Sequence, residues 1–312
     1  MKAVQFNQYG GAEVLEINVN TPEPTTAQGQ VLVDVHAVAI NPFDVYFLSG
    51  ALKEKMPLPF PITIGGDFSG VVRSTGEEVY GQALVISGNS GSFAEVLTVN
   101  EQTIALRPKT VSFEEAAALP LVGCSAIQAL EDHIKLQNGQ KILIHGGAGG
   151  IGHVAVQLAK ALGVYVATTV NTDDMEFARE LGANEVIDYK QSLRPDGLKT
   201  QKFEEIIKDF DAVYDTVGGE TTDKSFQVLK KGGVLVSMLG QPNLELAEKY
   251  GGIAIGQGTK VGTEILTRLA KFVDEGKIKV HIDKVFTLNQ IREAFTLQAS
   301  HPRGKVVLKI KE

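Results

Sequence analysis

The residues with the clearest chemical meaning form a glycine-rich loop in the middle of the chain. An apolar segment from Lys141 to His145 predicts a β-strand, and a helix-forming segment that begins HVAVQLAK follows the loop directly. Gly147 would permit a tight turn, Gly149 would let the backbone approach a diphosphate, and Gly152 would allow close packing of helix on strand. Free N–H groups at the helix start and the positive end of its dipole attract phosphate. The sequence therefore predicts a dinucleotide site formed by the following residues: Gly147, Ala148, Gly149, Gly150, Ile151 and Gly152.

The strand after this loop bears on which nicotinamide dinucleotide binds. It ends at Val170, and Asn171 stands near the place where an acidic residue holds the adenosine ribose of NAD. Because Asn171 is neutral, it does not repel a 2′-phosphate, which favours NADP(H) over NAD(H) as the cofactor. Asp173 and Asp174 follow at once, and the alternative interpretation of this segment is a helix N-cap with acidic residues in its first turn.

Two kinds of secondary structure must position this loop. Up to about residue 110 the chain has short β-rich segments separated by Pro and Gly turns, which predicts an antiparallel, barrel-like sheet. From about residue 120 apolar runs alternate with helical segments, a pattern typical of βαβ units on a buried parallel sheet. After Thr263 a helix leads to two further β segments. We expect an α/β protein in which a doubly wound domain, residues 123–259, interrupts a β-rich domain of residues 1–122 and 260–312.

Composition excludes several classes of protein. The chain has 312 residues, which allows about two domains, and its single cysteine excludes an internal disulfide. Its 30 basic and 37 acidic side chains give a net charge of −7, without the basic patch that a nucleic-acid partner requires. The N-terminal segment alternates like a strand rather than a signal peptide, and the weakly polar stretch 116–130 is short for a bilayer crossing, which needs ~20 residues. We therefore expect a cytoplasmic protein whose partner is a small molecule, with no membrane or nucleic-acid partner.

Several motifs, in the right order, resemble the quinone oxidoreductase and zeta-crystallin branch of the medium-chain dehydrogenases/reductases. The glycine loop, with Gln157 and Lys160 after it, is similar to the signature of that family. Four further segments, spread over nearly the whole chain, resemble family motifs: INPFDVYFLSG, PFPITIGGDFSGVV, GSFAEVLTV and HPRGKVVLKI. The resemblance implies a GroES-like β-rich catalytic domain plus a Rossmann nucleotide-binding domain with a doubly wound parallel sheet, in agreement with the pattern above.

The resemblance also bears on metal use and reaction. The zinc ligands of zinc-containing relatives align with Asn41, Gly66 and Leu121, and none of these residues supplies a suitable ligand. No catalytic zinc is therefore expected, and without one the dehydrogenation of simple alcohols has little support. The resemblance implies hydride transfer from a reduced nicotinamide to quinones or activated α,β-unsaturated carbonyl compounds. The alternative function is that of an NADPH-binding, crystallin-like protein with little turnover.

The INPFDVYFLSG segment holds the candidate catalytic residues. Asn41 stands where the metal-bound Cys would be, so its amide is a candidate donor to the acceptor oxygen, the alternative being a turn before Pro42. Asp44 and Tyr46 match the family's Asp and Tyr. Tyr46 is a candidate donor of a hydrogen bond or proton near the acceptor, whereas Asp44 is alternatively a cap or turn partner. Leu52 stands where enoyl-thioester reductases of the superfamily have a Tyr, which argues against a thioester substrate.

The resemblance assigns further residues to the cofactor. Ser125 aligns with a Ser or Thr near the nicotinamide, and Tyr189 keeps an adenine-side contact. Arg303 and Lys305 in the C-terminal motif are candidates for the cofactor phosphates, with a solvated strand end as the alternative. Met175 stands at the family's NADPH-favouring Lys and cannot hold a phosphate. Relatives commonly dimerise, and the apolar segment GGIAIGQ is a candidate edge strand for pairing in a homodimer.

Overall fold

The structure, a computed structural model, describes residues 1–190 and 202–311. The chain divides into two compact units. The first contains Met1–Cys124, Val261–Gly276 and Val280–Glu312, and the second contains Ser125–Lys260 and Lys277–Lys279. The assignment of the short segment Lys277–Lys279 to the second unit is not predicted by the sequence pattern.

The described residues form strands and helices with the following bounds. The strands are β1 Ala3–Phe6, β2 Glu16–Asn18, β3 Gln30–Ile40, β4 Ile62–Thr63, β5 Asp67–Val72, β6 Glu78–Gln82, β7 Val96–Asn100, β8 Ile104–Leu106, β9 Lys141–His145, β10 Tyr165–Val170, β11 Glu185–Asp188, β12 Phe210–Asp215, β13 Leu229–Ser237, β14 Ile253–Gly256, β15 Ile282–Thr287 and β16 Lys305–Lys309. The α-helices are α1 Pro42–Leu48, α2 Phe113–Ala117, α3 Pro120–Ile127, α4 Gly150–Ala161, α5 Met175–Glu180, α6 Phe203–Ile206, α7 Glu220–Ser225, α8 Leu244–Tyr250, α9 Thr263–Asp274 and α10 Ile291–Ala299. None of the helices in this described part is long and apolar enough to span a bilayer.

Strand β3 organises the first unit. It pairs antiparallel with β5, β7 and β16, and the strand order of the larger sheet is β15-β16-β3-β5-β6-β8. Val33 and Val35 point into the main core, and after an irregularity in the pairing between Val35 and Ala37 the core positions become Val38 and Ile40. A bulge of this kind shifts the two-residue alternation of a strand. The carboxyl end of β3 therefore lies between β16 on one side and β5 on the other.

The second unit is a doubly wound α/β sheet. In the described residues it has six parallel strands in the order β11-β10-β9-β12-β13-β14, with buried apolar runs such as Ile142, Leu143 and Ile144. This is the order 3-2-1-4-5-6 of dinucleotide-binding folds, and it confirms the predicted parallel sheet. The order reverses between β9 and β12, so the loops after these two strands lie at the switch point, where such sheets bind ligands.

Candidate functional site

The glycine loop joins β9 to α4, and each of its glycines meets a different steric limit. Gly146, with φ of 74°, is the residue in the left-handed region, so it makes the tight turn. The assignment of that turn to Gly147 was wrong, because Gly147 is required for a different reason. A Cβ there would lie 2.1 Å from Thr168 Oγ1, and a Cβ on Gly152 would lie 2.0 Å from Gly146 O. Close approach of the loop to β10 and to its own helix therefore excludes side chains at 147 and 152.

Gly149 differs because the space beside it is open. A Cβ at this position would have Gly146 O as its nearest neighbour, at 3.4 Å, which is an ordinary contact. Gly149 is the N-cap of the 12-residue helix α4, and the first N–H groups of an α-helix have no acceptor within the helix. Such groups, with the helix dipole, favour phosphate. The loop thus fits a dinucleotide diphosphate: it is closed towards the protein and open at the helix start.

The loop is held to β10 by backbone and side-chain bonds. Gly146 N and Gly147 N both donate to Thr169 O at 3.1 Å. His145, at the end of β9, is fully buried, with its Nδ1 3.0 Å from Thr169 Oγ1 and its Nε2 2.9 Å from Ser225 Oγ. Since the Ser225 hydroxyl donates to Thr221 O at 2.6 Å, it accepts from Nε2–H, and Nδ1 accepts from Thr169. Burial lowers the pKa of His145 to about 4, so the ring is neutral at pH 7.

A second loop at the switch point, after β12, is also held by hydrogen bonds. The buried carboxylate of Asp215 accepts from Val217 N at 2.9 Å, Gly218 N at 3.1 Å, the Thr222 hydroxyl at 2.5 Å and the Ser237 hydroxyl at 3.1 Å. Val217 is 53% exposed at the tip of this loop. Asp215 is not among the site residues predicted from the sequence. The signal was present, because an acidic residue that ends an apolar strand and precedes two glycines marks a strand-end loop of this type.

The strand-tip residue Asn171 acts as a helix cap. Its Oδ1 accepts from Asp174 N at 3.1 Å, and its Nδ2 donates to Asp174 Oδ2 at 2.6 Å, at the start of the turn Thr172–Asp174. Capping, the alternative interpretation of this segment, therefore describes the structure, with Asn171 itself as the cap. Tyr189 follows β11 and is 64% exposed.

Two further predicted cofactor residues belong to other segments of the chain than the glycine loop. Ser125 is fully buried near the end of α3, where its Oγ is 2.6 Å from Thr259 Oγ1 and its carbonyl accepts from Gln257 Nε2 at 3.0 Å. Arg303 is half-buried in the loop before β16 and belongs to the first unit, whereas the glycine loop belongs to the second.

Asn41 lies at the end of β3, where side chains from both neighbouring strands converge on it. Its Nδ2 donates to Asp67 Oδ2 of β5 at 3.0 Å, and its Oδ1 accepts from the Lys305 ammonium of β16. Lys305 Nζ also donates to Ile40 O at 2.9 Å. The side chains of Asn41, Asp67 and Lys305 are all at most 3% exposed. The expectation of a solvated strand end at Lys305 is therefore wrong, whereas its contact with a cofactor phosphate stays a prediction.

The charges of this cluster are strongly perturbed by burial. Burial raises the pKa of Asp67, and the Lys305 ammonium, the Asn41 amide and Leu121 N–H oppose that rise. Burial lowers the pKa of Lys305, opposed by the two carboxylates Asp67 and Asp44. Asp67 Oδ1 also accepts from Gln82 Nε2 at 3.1 Å, so both of its oxygens are hydrogen bonded. One ammonium and one fully bonded carboxylate thus enclose the Asn41 amide.

Asp44 and Tyr46 lie on different faces of α1. Asp44 is 2% exposed, and its Oδ2 accepts from Asn41 N at 2.8 Å, which is the geometry of a capping carboxylate at a helix start. Burial raises the pKa of Asp44 to about 7. Tyr46 is 57% exposed, so the helix directs these two candidate residues apart. Asp67, which sequence analysis missed, is the acidic residue that contacts the Asn41 side chain.

The donor set does not fit a catalytic zinc ion. In residues 1–190 and 202–311 no group of three His, Cys, Asp or Glu side chains is placed to hold a metal. At the positions aligned with zinc ligands, Asn41 is bonded to an ammonium and Leu121 contributes its N–H to Asp67 Oδ2 at 3.1 Å. The only cysteine, Cys124, is buried, and burial raises its pKa far above the usual range of a thiol.

Comparison with known proteins gives two family matches. Residues 27–109 match the GroES-like domain of alcohol dehydrogenases, and residues 181–308 match the family described as zinc-binding dehydrogenases. The first match covers the β-rich part of the first unit and confirms its predicted GroES-like character. The second match reaches from the parallel sheet of the second unit to the C-terminal strand.

Three similar proteins extend these matches over the whole chain. The 2-methylene-furan-3-one reductase of Solanum lycopersicum is 34% identical over 99% of this chain and 79% of its own length. The chloroplastic NADPH-dependent alkenal/one oxidoreductase of Arabidopsis thaliana is 33% identical with the same coverage. The quinone oxidoreductase of Coxiella burnetii has a solved structure that is 34% identical, with a TM-score of 0.87 over 100% of this chain and 99% of the other.

Proposed function

This chain belongs to the quinone and alkenal oxidoreductase family of the medium-chain dehydrogenases/reductases, and we propose that it is an NADPH-dependent reductase of quinones and α,β-unsaturated carbonyl compounds. The observation that carries the proposal is the glycine loop, which is closed at positions 147 and 152 and open at position 149. The names of the relatives, which include an alkenal/one oxidoreductase and a quinone oxidoreductase, support this substrate class.

The residues of the glycine loop would hold the cofactor diphosphate through the N–H groups at the start of α4. NADPH, when bound, supplies a hydride to an electron-poor carbon or quinone. We propose NADPH over NADH because Asn171, at the strand tip, carries no negative charge that would repel a 2′-phosphate. Ser125, Tyr189 and Arg303 remain proposed cofactor contacts.

We further propose that the reaction needs no zinc. Reduction of an enone or quinone places negative charge on the acceptor oxygen, and the Asn41 amide is the proposed hydrogen-bond donor to that oxygen. Tyr46, which is 57% exposed, is the proposed donor of the proton that completes the reduction. Asp44 is the proposed support for Asn41, because its buried carboxylate accepts from Asn41 N and so fixes the backbone at the start of α1.

The proposal also includes an oligomeric state and a cellular location. We propose a homodimer formed through β14, which pairs only with β13 in the described sheet and presents Ile253 with 51% of its surface exposed. An edge strand of this kind can pair with its own copy about a two-fold axis. We propose that the dimer acts in the cytoplasm on small molecules, with no nucleic-acid or membrane partner.

Turnover by the purified protein tests the proposed function. We expect loss of the reduced-nicotinamide absorbance when NADPH is mixed with an ortho-quinone or a 2-alkenal, and little loss with a simple saturated aldehyde. Binding of NADPH without oxidation across a panel of quinones and enones would contradict the proposal.

A further inference from the structure

Lys305 is a buried cation at the proposed acceptor site, and its position follows from strand register. Val306 of β16 pairs antiparallel with Ile40 of β3, so the next opposed pair is Lys305 and Asn41, residues 264 positions apart. Lys305 is 2% exposed, although lysine is almost never fully buried without a partner. Its ammonium donates to Ile40 O and Asn41 Oδ1, so both of these hydrogen bonds are made at the end of β3.

These bonds fix the orientation of the Asn41 amide. With Oδ1 towards Lys305 and Nδ2 towards Asp67, each atom meets a partner of the complementary type. A flipped amide would place two donors together at Lys305 and two acceptors together at Asp67, both in a buried environment. A buried polar group without a partner is destabilising, so Lys305 and Asp67 together select one orientation of the amide.

The same bonds also polarise the amide. A cation that binds the amide oxygen withdraws electron density from the nitrogen, which makes the Nδ2–H groups stronger donors. One N–H of Nδ2 donates to Asp67, and within the described residues Nδ2 makes no second hydrogen bond. The Asp67 carboxylate that accepts this bond is itself held in place by bonds from Gln82 Nε2 and Leu121 N.

We propose that Lys305 is a positioning residue for reduction: its ammonium orients and polarises the Asn41 amide so that Nδ2–H stabilises the negative charge that develops on the acceptor oxygen. The inference rests on the proposed function, in which Asn41 contacts that oxygen. In this role Lys305 transfers no proton, and it acts only through Asn41. It would thus supply, from behind an amide, positive charge where zinc-containing relatives have a metal.

The first test separates this role from a role in folding. Lys305→Met alone leaves the Asp67 carboxylate buried without its cation, so the main variant is the double substitution Lys305→Met/Asp67→Asn, which removes both charges. Lys309→Met on the same strand, at an exposed position, is the matched control. We expect the double variant to keep its NADPH Kd within about twofold. Its kcat should fall about 10- to 100-fold, less than the roughly 100- to 1,000-fold cost of removing an oxyanion donor outright, because the Asn41 amide is still present.

A mutant cycle tests whether Lys305 acts through Asn41. If it does, adding Asn41→Ala to the double variant lowers kcat no further than Asn41→Ala alone, because the same donor is already lost. Losses that multiply would overturn the inference, as would a double variant with unchanged kcat. Lys309→Met should retain the wild-type kcat.

An NMR measurement that needs no turnover distinguishes an error in the role of Lys305 from an error in the proposed function. In protein labelled with ¹⁵N-asparagine, the Asn41 side-chain signals are identified by their loss in Asn41→Ala. We expect the Asn41 NH₂ signals to shift and to exchange faster with solvent in Lys305→Met/Asp67→Asn, and to stay unchanged in Lys309→Met. If the double variant shows this NMR response but the wild-type protein reduces no acceptor, the proposed function alone is refuted. Unchanged Asn41 signals in the double variant would refute the role of Lys305.

Discussion

The glycine at position 149 allows cofactor binding to be separated from folding. Gly149 has φ of −77° and ψ of 179°, a conformation open to alanine, and a Cβ there meets only Gly146 O at 3.4 Å. Gly149→Ala should therefore fold normally, with a change of less than about 1 kcal/mol in the free energy of unfolding. In Gly152→Ala the Cβ would lie 2.0 Å from Gly146 O, so the loop itself must move.

The expected effect on binding follows from the space that the new Cβ enters. If the diphosphate lies at the start of α4, the methyl group of Gly149→Ala displaces it from at least one N–H donor. A hydrogen bond to a charged group contributes about 1.5–3 kcal/mol, so the Kd for NADPH should rise about 10- to 100-fold. Gly152→Ala should lose binding and also about 1–3 kcal/mol of stability, since overpacking distorts the backbone.

Calorimetric titration with NADPH and thermal unfolding, both on the same preparations, measure the two effects. Gly262→Ala is the matched control, because Gly262 is also the N-cap of a 12-residue helix, α9, and a Cβ there meets only Gln102 O at 3.6 Å. It should bind NADPH like the wild type. A Gly149→Ala protein with unchanged NADPH affinity would refute the assignment of the diphosphate to this loop.

Three further predictions concern cofactor choice, pH and assembly. The wild type should bind NADPH more tightly than NADH, and Asn171→Asp should reverse that order, because a carboxylate at the strand tip holds ribose hydroxyls and repels a 2′-phosphate; equal Kd values for the two cofactors in wild-type titrations would contradict it. His145 has a pKa lowered from 6.5 to about 4, so the unfolded state binds the proton more readily, and stability should fall by up to about 3 kcal/mol as pH drops from 6.5 to 4. Urea titrations of His145→Gln should show a smaller loss over that range, and an equal loss would show that the ring is not the source. Ile253→Lys should convert a dimer to a monomer in light scattering, whereas Leu244→Lys, at an exposed helix position, should leave the dimer intact; a dimer that survives Ile253→Lys would exclude the β14 interface.

Much of the second unit could be predicted because its signals are local. A strand, a glycine loop and a helix follow one another between Lys141 and Ala161, and the alternation downstream predicts a parallel sheet. Even here the predicted position of the tight turn was wrong by one residue. A glycine-rich sequence does not show which of two adjacent glycines, Gly146 or Gly147, takes a positive φ.

The cluster around Asn41 could not be predicted, because it depends on register between distant strands. In the sequence, Lys305 is typical of an exposed lysine near the end of a strand. Only the antiparallel pairing of β16 with β3 places its ammonium against Asn41. Asp67 lies in a motif that supports family resemblance, yet its contact with Asn41 depends on the neighbouring position of β5 and β3 in the sheet. A one-residue shift in either register would direct these side chains to the opposite face.

We propose that this chain reduces activated acceptors with NADPH and without a metal ion. The most direct test is the rate of NADPH oxidation by chelator-treated protein with a 2-alkenal or an ortho-quinone, alongside the zinc content of the same sample. We expect an undiminished rate in protein that contains far less than one zinc per chain. A rate that disappears with the metal and returns when zinc is added would contradict it.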